Sequence, residues 1–166
     1  SWQLPDYAGS PLRGIFGHAL RATACHCADD NHAPDCLFAC CFVSPSGKQG
    51  ETVFPYVILP PPGGERRLAA GETFSLEFVV TGETACRAGE YVAAWHHALG
   101  AWLGDKNGHA VLDKVELLLP EQAWPLRLSV VKGRDLQHPV WRLPPLAPRV
   151  GGVTLQFDTP LRIHRQ

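Results

Sequence analysis

The sequence contains no methionine and carries almost no net charge. Its 166 residues include 15 Lys and Arg against 16 Asp and Glu, which gives a formal net charge of -1. This balance excludes a protein that grips nucleic acid through bulk positive charge, so any RNA contact has to come from a local basic patch. Because methionine is missing even at position 1, we expect both ends of the chain to be cuts.

Long apolar runs are also missing. No stretch reaches the roughly 18–20 apolar residues that a membrane-spanning helix needs, and Ser1-Trp2-Gln3 lacks the basic start of a signal peptide. We therefore expect a cytoplasmic protein with no membrane partner. With 45% apolar and 19% charged residues, the composition is typical of globular proteins. The length suits one domain, or one and a half small ones.

Cysteine is scarce over most of the chain and concentrated in one segment. Five of the six cysteines lie between positions 25 and 41. This crowding favours a metal site or a reduced loop over a secreted disulfide framework. The candidate ligands for a tetrahedral structural zinc ion are Cys25, Cys27, His32, Cys36 and Cys40. Because no clean pair of CxxC hooks is present, a loop of reduced, partly buried thiols or a disulfide formed after purification explains the same residues.

Apolar periodicity predicts two helices. From Pro11 to Ala24, apolar residues recur at the i, i+3, i+4, i+7, i+8 spacing of an amphipathic helix, and Ser10 supplies a capping hydroxyl before it. Residues 89–103 show a second helical pattern. Residues 25–51 have no period and are predicted to form a long loop.

Alternating and β-branched segments predict the strands. Residues 52–59 and 73–80 form a hairpin-like pair, and residues 111–119 and 126–131 are further strands. An opening strand at Trp2–Leu4 completes the order β-α-β-β-α-β. This order predicts an α+β protein of the ferredoxin-like (RRM-like) kind, in which both helices cover one face of an antiparallel sheet.

A series of short segments carries a family resemblance. In chain order they are Pro11-Leu12-Arg13-Gly14-Ile15-Phe16-Gly17-His18-Ala19-Leu20-Arg21, the Cys-rich loop, Pro55-Tyr56-Val57-Ile58-Leu59-Pro60-Pro61, Gly71-Glu72-Thr73-Phe74, Val115 and Phe157-Asp158-Thr159-Pro160-Leu161-Arg162. Their order and spacing resemble CRISPR-associated RAMP endoribonucleases that process precursor CRISPR RNA. The resemblance spans nearly the whole chain.

The resemblance implies two tandem ferredoxin-like RAMP domains. The first would occupy residues 1–138, with the Cys-rich loop at 25–51, and a Pro-rich linker would follow at 139–152. Residues 153–166 would be the opening strand of a truncated second domain. Members usually place a glycine-rich RNA-contacting loop near the far end, so we expect this fragment to hold only part of the site.

The resemblance also implies an activity and its partner. The implied partner is CRISPR repeat RNA, recognised at a hairpin or its single-stranded flank. The implied reaction is endonucleolytic cleavage by attack of a ribose 2′-hydroxyl, which needs no cofactor. Two alternatives stay open: a non-catalytic RAMP subunit that binds crRNA or scaffolds an effector complex with other RAMP subunits, and a zinc-stabilised protein-interaction domain.

Helix geometry gathers candidate site residues on the first helix. At about 100° per residue, the residues that fall opposite the apolar stripe are Gly14, Gly17, His18 and Arg21. Histidine suits a general base near neutral pH, and the resemblance assigns that role to His18. Arg21 or Arg13 would stabilise the phosphate, on a surface made shallow by the glycines. Polar residues on a solvated helix face would give the same pattern.

Other candidates come from weaker signals. Some members of the resembled family use a tyrosine before this helix and a lysine after it, and the nearest counterparts are Tyr7 and Lys48. Arg66 and Arg67 follow the Pro-Pro-Pro-Gly-Gly turn and could contact an RNA backbone. A charge pair on a solvated turn explains these two arginines equally well.

Overall fold

The computed structural model of the chain describes residues 2–28, 30–43, 54–62, 64–101, 110–117 and 126–128. The helices in these ranges are α1 (Gly9–Ala24), α2 (Leu37–Phe42) and α3 (Ala88–Ala101), with a 3-10 turn at Glu83–Arg87. The strands are β1 (Trp2–Leu4), β2 (Tyr56–Leu59), β3 (Arg66–Leu68), β4 (Glu77–Val80), β5 (Val115–Leu117) and β6 (Leu126–Leu128). Within the described ranges, no helix is long and apolar enough to cross a membrane.

The strands form antiparallel pairs, and the α+β class predicted from the sequence is confirmed. Strand β1 pairs with β3, β2 with β4, and β5 with β6, each pair antiparallel. The predicted hairpin-like pair is therefore present as β2 and β4, and the Thr81 N–H extends it by donating to the Pro55 carbonyl at 2.9 Å. Among the described strands, the partner of β1 is β3. In a ferredoxin-like sheet, β1 would instead lie beside β4.

Helix α1 packs against α3 to form the centre of the core. The buried side chains of the two helices include Leu12, Phe16, Ala19, Leu20, Tyr91, Ala94, Trp95, Ala98 and Leu99. Phe16 is fully buried, and its ring lies 4.8 Å from that of Trp95 and 4.9 Å from that of Phe78 in β4. One aromatic side chain therefore joins both helices to the β2–β4 sheet.

The ends of several elements differ from the sequence predictions. Helix α1 begins at Gly9, and its N-cap is Ala8, which makes no side-chain capping bond. The predicted capping role of Ser10 is therefore wrong, because Ser10 already lies inside the first turn. The predicted strand at 73–80 keeps its alternating burial, but it pairs only from Glu77 because its partner β2 is four residues long.

The largest difference lies in the predicted long loop. Residues Leu37–Phe42 form helix α2, with Leu37 and Cys41 buried. Six residues are too few for apolar periodicity to stand out in the sequence. The predicted linker at 139–152 and the start of a second domain at 153–166 lie outside the described residues.

Candidate functional site

Four potential metal ligands from the Cys-rich segment converge at one point. The ligand atoms of Cys25, Cys27, His32 and Cys36, the Cys3His group, all lie within 4.8 Å of one another. His32 Nδ1 is 3.5 Å from Cys25 Sγ and 3.6 Å from Cys36 Sγ. Tetrahedral zinc, with Zn–S and Zn–N bonds of about 2.3 and 2.0 Å, places sulfur and nitrogen about 3.5 Å apart. The group therefore has the size and donor set to bind a metal ion.

Two helix ends bring these ligands together. Cys25 directly follows α1, and its N–H donates to the Arg21 carbonyl at 3.3 Å. Cys36 directly precedes α2, and its carbonyl accepts the Cys40 N–H at 3.0 Å. A metal ion held by Cys25 and Cys36 would tie the end of α1 to the start of α2. Such a tie matters because a helix of six residues is not stable alone.

The other two ligands are oriented by neighbouring groups. Cys27 Sγ accepts a hydrogen bond from the Ala33 N–H at 3.4 Å. The ring of His32 lies 5.4 Å from that of Phe38 in α2. Partners of this kind fix the direction of a ligand before the metal arrives.

The thiols of Cys25 and Cys36 differ in their affinity for protons. A hydrogen bond from the Cys27 backbone is the main cause that lowers the pKa of Cys25, with help from the Cys36 and Cys27 side chains and the charge of Arg21. Burial raises the pKa of Cys36. Because a metal binds thiolates, binding to this group would release protons. Of these two ligands, Cys25 gives up its proton more readily.

Arg87, the last residue of the 3-10 turn before α3, binds the backbone of the Cys-rich segment. Its guanidinium donates to the Asp35 carbonyl at 2.7 Å and, through Nε, to Glu90 Oε1 at 2.6 Å. The bonds to Glu90 raise the pKa of Arg87. Asp35 directly precedes the ligand Cys36, so Arg87 positions the backbone that carries this thiol. The sequence holds no signal for this contact, because 52 positions separate the two residues.

The remaining cysteines lie outside the Cys3His group. Cys40, which the sequence spacing offers as a ligand, is absent from the group, and its Sγ lies 4.0 Å from the Pro34 carbonyl oxygen. Cys41 is buried with its Sγ 3.4 Å from Tyr91 Oη, and burial raises its pKa. Cys86 is exposed. All six cysteines are free thiols, so the structure shows no disulfide in this segment.

Helix α1 presents the predicted His18 and Arg21 on its exposed face. They lie three positions apart, at the spacing where helix side chains are neighbours. At Gly14, one turn before His18, a Cβ would meet no atom within 4 Å, so the surface is open there. The predicted exposure of Gly17 is wrong. Gly17 is buried, because a Cβ at this position would lie 2.8 Å from Phe42 Cε1 of α2.

Both arginines of this helix have partners on the α2 side. Arg21 makes an ion pair with Asp30 at 3.0 Å, and its guanidinium lies 5.6 Å from the centre of the Phe38 ring. Arg13 lies 5.1 Å from the centres of the Phe42 and Phe54 rings. Both arginines remain exposed. Sequence reasoning missed these contacts because the fold, rather than local spacing along the helix, brings the partners together.

The weaker candidates are scattered. Tyr7 is 48% exposed, and its hydroxyl lies beside Gly9 at the start of α1. His18 lies nine positions after Gly9, about 13 Å along the axis. Arg66 and Arg67 lie in β3, paired with β1, so the alternative that they form a charge pair on the turn is wrong. Lys48 lies outside the described residues.

Comparison with known proteins shows the family to which the chain belongs. The model of the AF_1859_N family, described as an N-terminal domain, matches residues 1–140. The chain belongs to this family. The AF_1859_N match contains the Cys3His group and every described helix and strand. No curated protein and no solved structure matches the chain.

Proposed function

We propose that the chain is the N-terminal portion of a CRISPR-associated RAMP endoribonuclease and that α1 carries its reactive face. The observation that carries this proposal is the exposed pair of His18 and Arg21 beside the open surface at Gly14. Cleavage by a neighbouring 2′-hydroxyl uses a base and a cation, and His18 and Arg21 supply one of each, one helical turn apart. The sequence resemblance supplies the substrate class, CRISPR repeat RNA at a hairpin or its single-stranded flank.

In this proposal His18 accepts the proton of the ribose 2′-hydroxyl. The freed 2′-oxygen attacks the adjacent phosphorus, a 2′,3′-cyclic phosphate forms, and the bond to the 5′-oxygen breaks. The leaving 5′-oxygen takes up a proton from solvent water and departs as a hydroxyl, and the proton held by His18 returns to solvent. Arg21 stabilises the negative charge that develops on the phosphate oxygens. No metal ion takes part in these steps.

The geometry favours Arg21 over Tyr7 as the partner of His18. Arg21 is one turn away, whereas Tyr7 lies at the start of α1, about 13 Å along the helix axis. A single scissile phosphate cannot contact both ends of that distance. Arg13 lies eight positions before Arg21, about 12 Å along the axis, so in this proposal it contacts a neighbouring nucleotide rather than the reacting one.

We further propose that the Cys3His group binds a structural zinc ion. Three thiolates and one imidazole make up a common structural zinc set, and four protein ligands leave no position for a reacting water. The ion would hold α2 against α1. Zinc would then support the reactive helix without entering the chemistry.

The ferredoxin-like arrangement is the proposed architecture of the complete sheet. Two observations support it: the β2–β4 antiparallel pair, and the packing of α1 against α3. In a ferredoxin-like domain both helices would lie on the same face of one sheet. The first of two such domains would then end before the Pro-rich segment at 139–152.

A non-catalytic RAMP subunit that binds crRNA is the second candidate. The observation in its favour is that both arginines already have partners, Arg21 with Asp30 and Arg13 with aromatic rings. Arg13, whose partners are uncharged rings, keeps its charge for contact with an RNA backbone. To stabilise a transition state, Arg21 would have to contact the phosphate while it is also paired with Asp30.

One experiment separates the two candidates. The full-length protein, loaded with zinc and free of Mg²⁺, is incubated with labelled repeat RNA, with and without a 2′-deoxy sugar at the cleavage site. Cleavage that the deoxy sugar blocks supports the endoribonuclease. RNA that is bound but left intact supports the binding subunit.

The His18→Ala variant tests the catalytic residue in the same assay. Loss of a general base lowers cleavage by about 10²–10⁴-fold, with RNA affinity nearly unchanged. A matched control is His96→Ala, an exposed histidine on α3. Cleavage by His18→Ala at the rate of the parent chain would remove His18 from the mechanism.

A further inference from the structure

The seam between α1 and α2 combines arginines with aromatic rings. Arg13, Gly17 and Arg21 follow one another at i, i+4 and i+8, so they line one face of α1. The side chain of Phe42 occupies the space that a side chain at Gly17 would fill. The two arginines therefore flank α2, about 12 Å apart along the helix axis.

Each guanidinium lies over an aromatic ring, and two of the rings stack on each other. Arg21 is 5.6 Å from the Phe38 centre, and the Phe38 and Phe42 rings stack with centres 5.5 Å apart and planes 13° apart. Arg13 is 5.1 Å from the centres of both Phe42 and Phe54. We call this series, Arg21-Phe38-Phe42-Arg13-Phe54, the arginine–aromatic ladder.

The ladder is accessible at the surface. Its two arginines are exposed, and Phe38, Phe42 and Phe54 are each only partly buried. Phe42 and Phe54 also pack against the core, but unlike Phe16, which is at 0% exposure, they keep part of their surface open. Flat guanidinium and phenyl faces at the surface are the groups on which unpaired bases stack, while the guanidinium charge attracts phosphates.

We propose that the arginine–aromatic ladder binds single-stranded RNA by stacking unpaired bases. This inference rests on the proposed function, and it names the part of the substrate that the ladder takes: an unpaired flank rather than the paired stem. The bases of a duplex are stacked on one another and present no free face to the rings. Stacking tolerates any base, so the ladder adds affinity and placement rather than sequence choice.

Asp30 allows a second test of the proposal. Its carboxylate is 89% exposed and holds Arg21 at 3.0 Å, so it competes with an RNA phosphate for the same guanidinium. Asp30→Asn removes the competing charge and leaves all four Cys3His ligands in place. RNA should bind this variant about 2- to 5-fold more tightly, the range that a surface ion pair represents.

The stacking contribution is measured with two fluorescent oligomers of equal length. One is oligouridylate, and the other is an abasic ribose-phosphate chain that offers phosphates without bases. We expect the zinc-loaded full chain to bind oligouridylate about 5- to 100-fold more tightly than the abasic chain. In a Phe38→Leu, Phe54→Leu double variant this ratio should fall towards one, while affinity for the abasic chain stays the same.

A matched control and a folding check accompany the double variant. Phe74→Leu makes the same exchange at a partly buried phenylalanine packed against the core, and it should keep the parent ratio. Zinc content and thermal melting verify that each variant is folded. Equal binding of the two oligomers by the parent chain, or an unchanged ratio in the double variant, would overturn the ladder proposal.

The ladder and the proposed function can fail separately. If repeat RNA is cut in a His18-dependent way but the double variant keeps its ratio, only the ladder proposal is wrong. If the full chain binds neither the oligomers nor repeat RNA, both proposals are wrong.

Discussion

The two sides of α1 are held by different kinds of interaction. Towards α3 and β4, Leu12, Phe16 and Leu20 are fully buried among apolar neighbours. Towards α2, the helix offers a glycine and two exposed arginines, and the neighbouring segment is gathered around the Cys3His group. On the first side stability is spread over many contacts. On the second side, Leu37 and Cys41 are buried as well, and the Cys3His group adds one point where a metal would tie α2 to α1.

The largest expected effect is the loss of metal binding at the Cys3His group. Cys36→Ser should lower zinc content from about one ion per chain to none, because Cys36 is both a candidate ligand and the residue before α2. The α2 side should loosen while the α1–α3 core stays folded. Elemental analysis gives the zinc content, and denaturant unfolding reports the core.

Cys40→Ser is the matched control for this prediction. Cys40 lies four positions further on and is absent from the Cys3His group. This variant should therefore keep its zinc. Loss of zinc from Cys40→Ser, with retention in Cys36→Ser, would contradict the ligand set.

The next effect concerns the apolar side. Phe16→Ala should lower the free energy of unfolding by about 3–5 kcal/mol, because it leaves a cavity between Trp95 and Phe78. Urea unfolding measures the change. Val57→Ala, at a site that is 53% exposed, should change it by less than about 0.5 kcal/mol. Similar losses in the two variants would mean that Phe16 does not anchor the core.

The contrast between the two sides also explains what could be predicted from the sequence. Apolar periodicity identified α1, α3 and the β2–β4 pair, because those elements bury one face along their length. Crowding of Cys and His identified the metal candidates, although the spacing alone favoured Cys40 too. Helix α2 was missed because it has six residues and depends on neighbours outside itself. The Arg87–Asp35 contact was missed because it joins distant parts of the chain.

Two glycines of α1 test the seam directly. Gly14→Ala should stabilise the chain by about 0.5–1 kcal/mol, because alanine is the better helix former and nothing lies within 4 Å of its Cβ. The free energy of unfolding of Gly17→Ala should be about 1–3 kcal/mol lower than that of Gly14→Ala, because the Cβ at position 17 forces Phe42 and α2 to move. Thermal or urea unfolding compares the pair. Equal stabilisation by both would show that α2 does not pack on Gly17.

The smallest effect lies where the two sides meet, at Tyr56 in β2. Its ring is 5.6 Å from both Phe16 and Phe42, and among the described residues its buried hydroxyl has no hydrogen-bond partner. Burial raises the pKa of Tyr56 to about 12. The unfolded chain loses this proton near pH 10, so stability is full below that pH and falls as pH rises towards 12.

Tyr56→Phe isolates this dependence. At about pH 10.5 the parent chain should lose about 1 kcal/mol that the variant keeps, whereas at neutral pH the variant should be as stable or slightly more stable, since no partner of the hydroxyl is left unpaired. Urea unfolding of both chains at the two pH values gives the difference. Tyr91, whose pKa burial also raises, remains in both chains, so its contribution cancels in the comparison. An equal alkaline loss in parent and variant would place the sensitive group elsewhere than this junction.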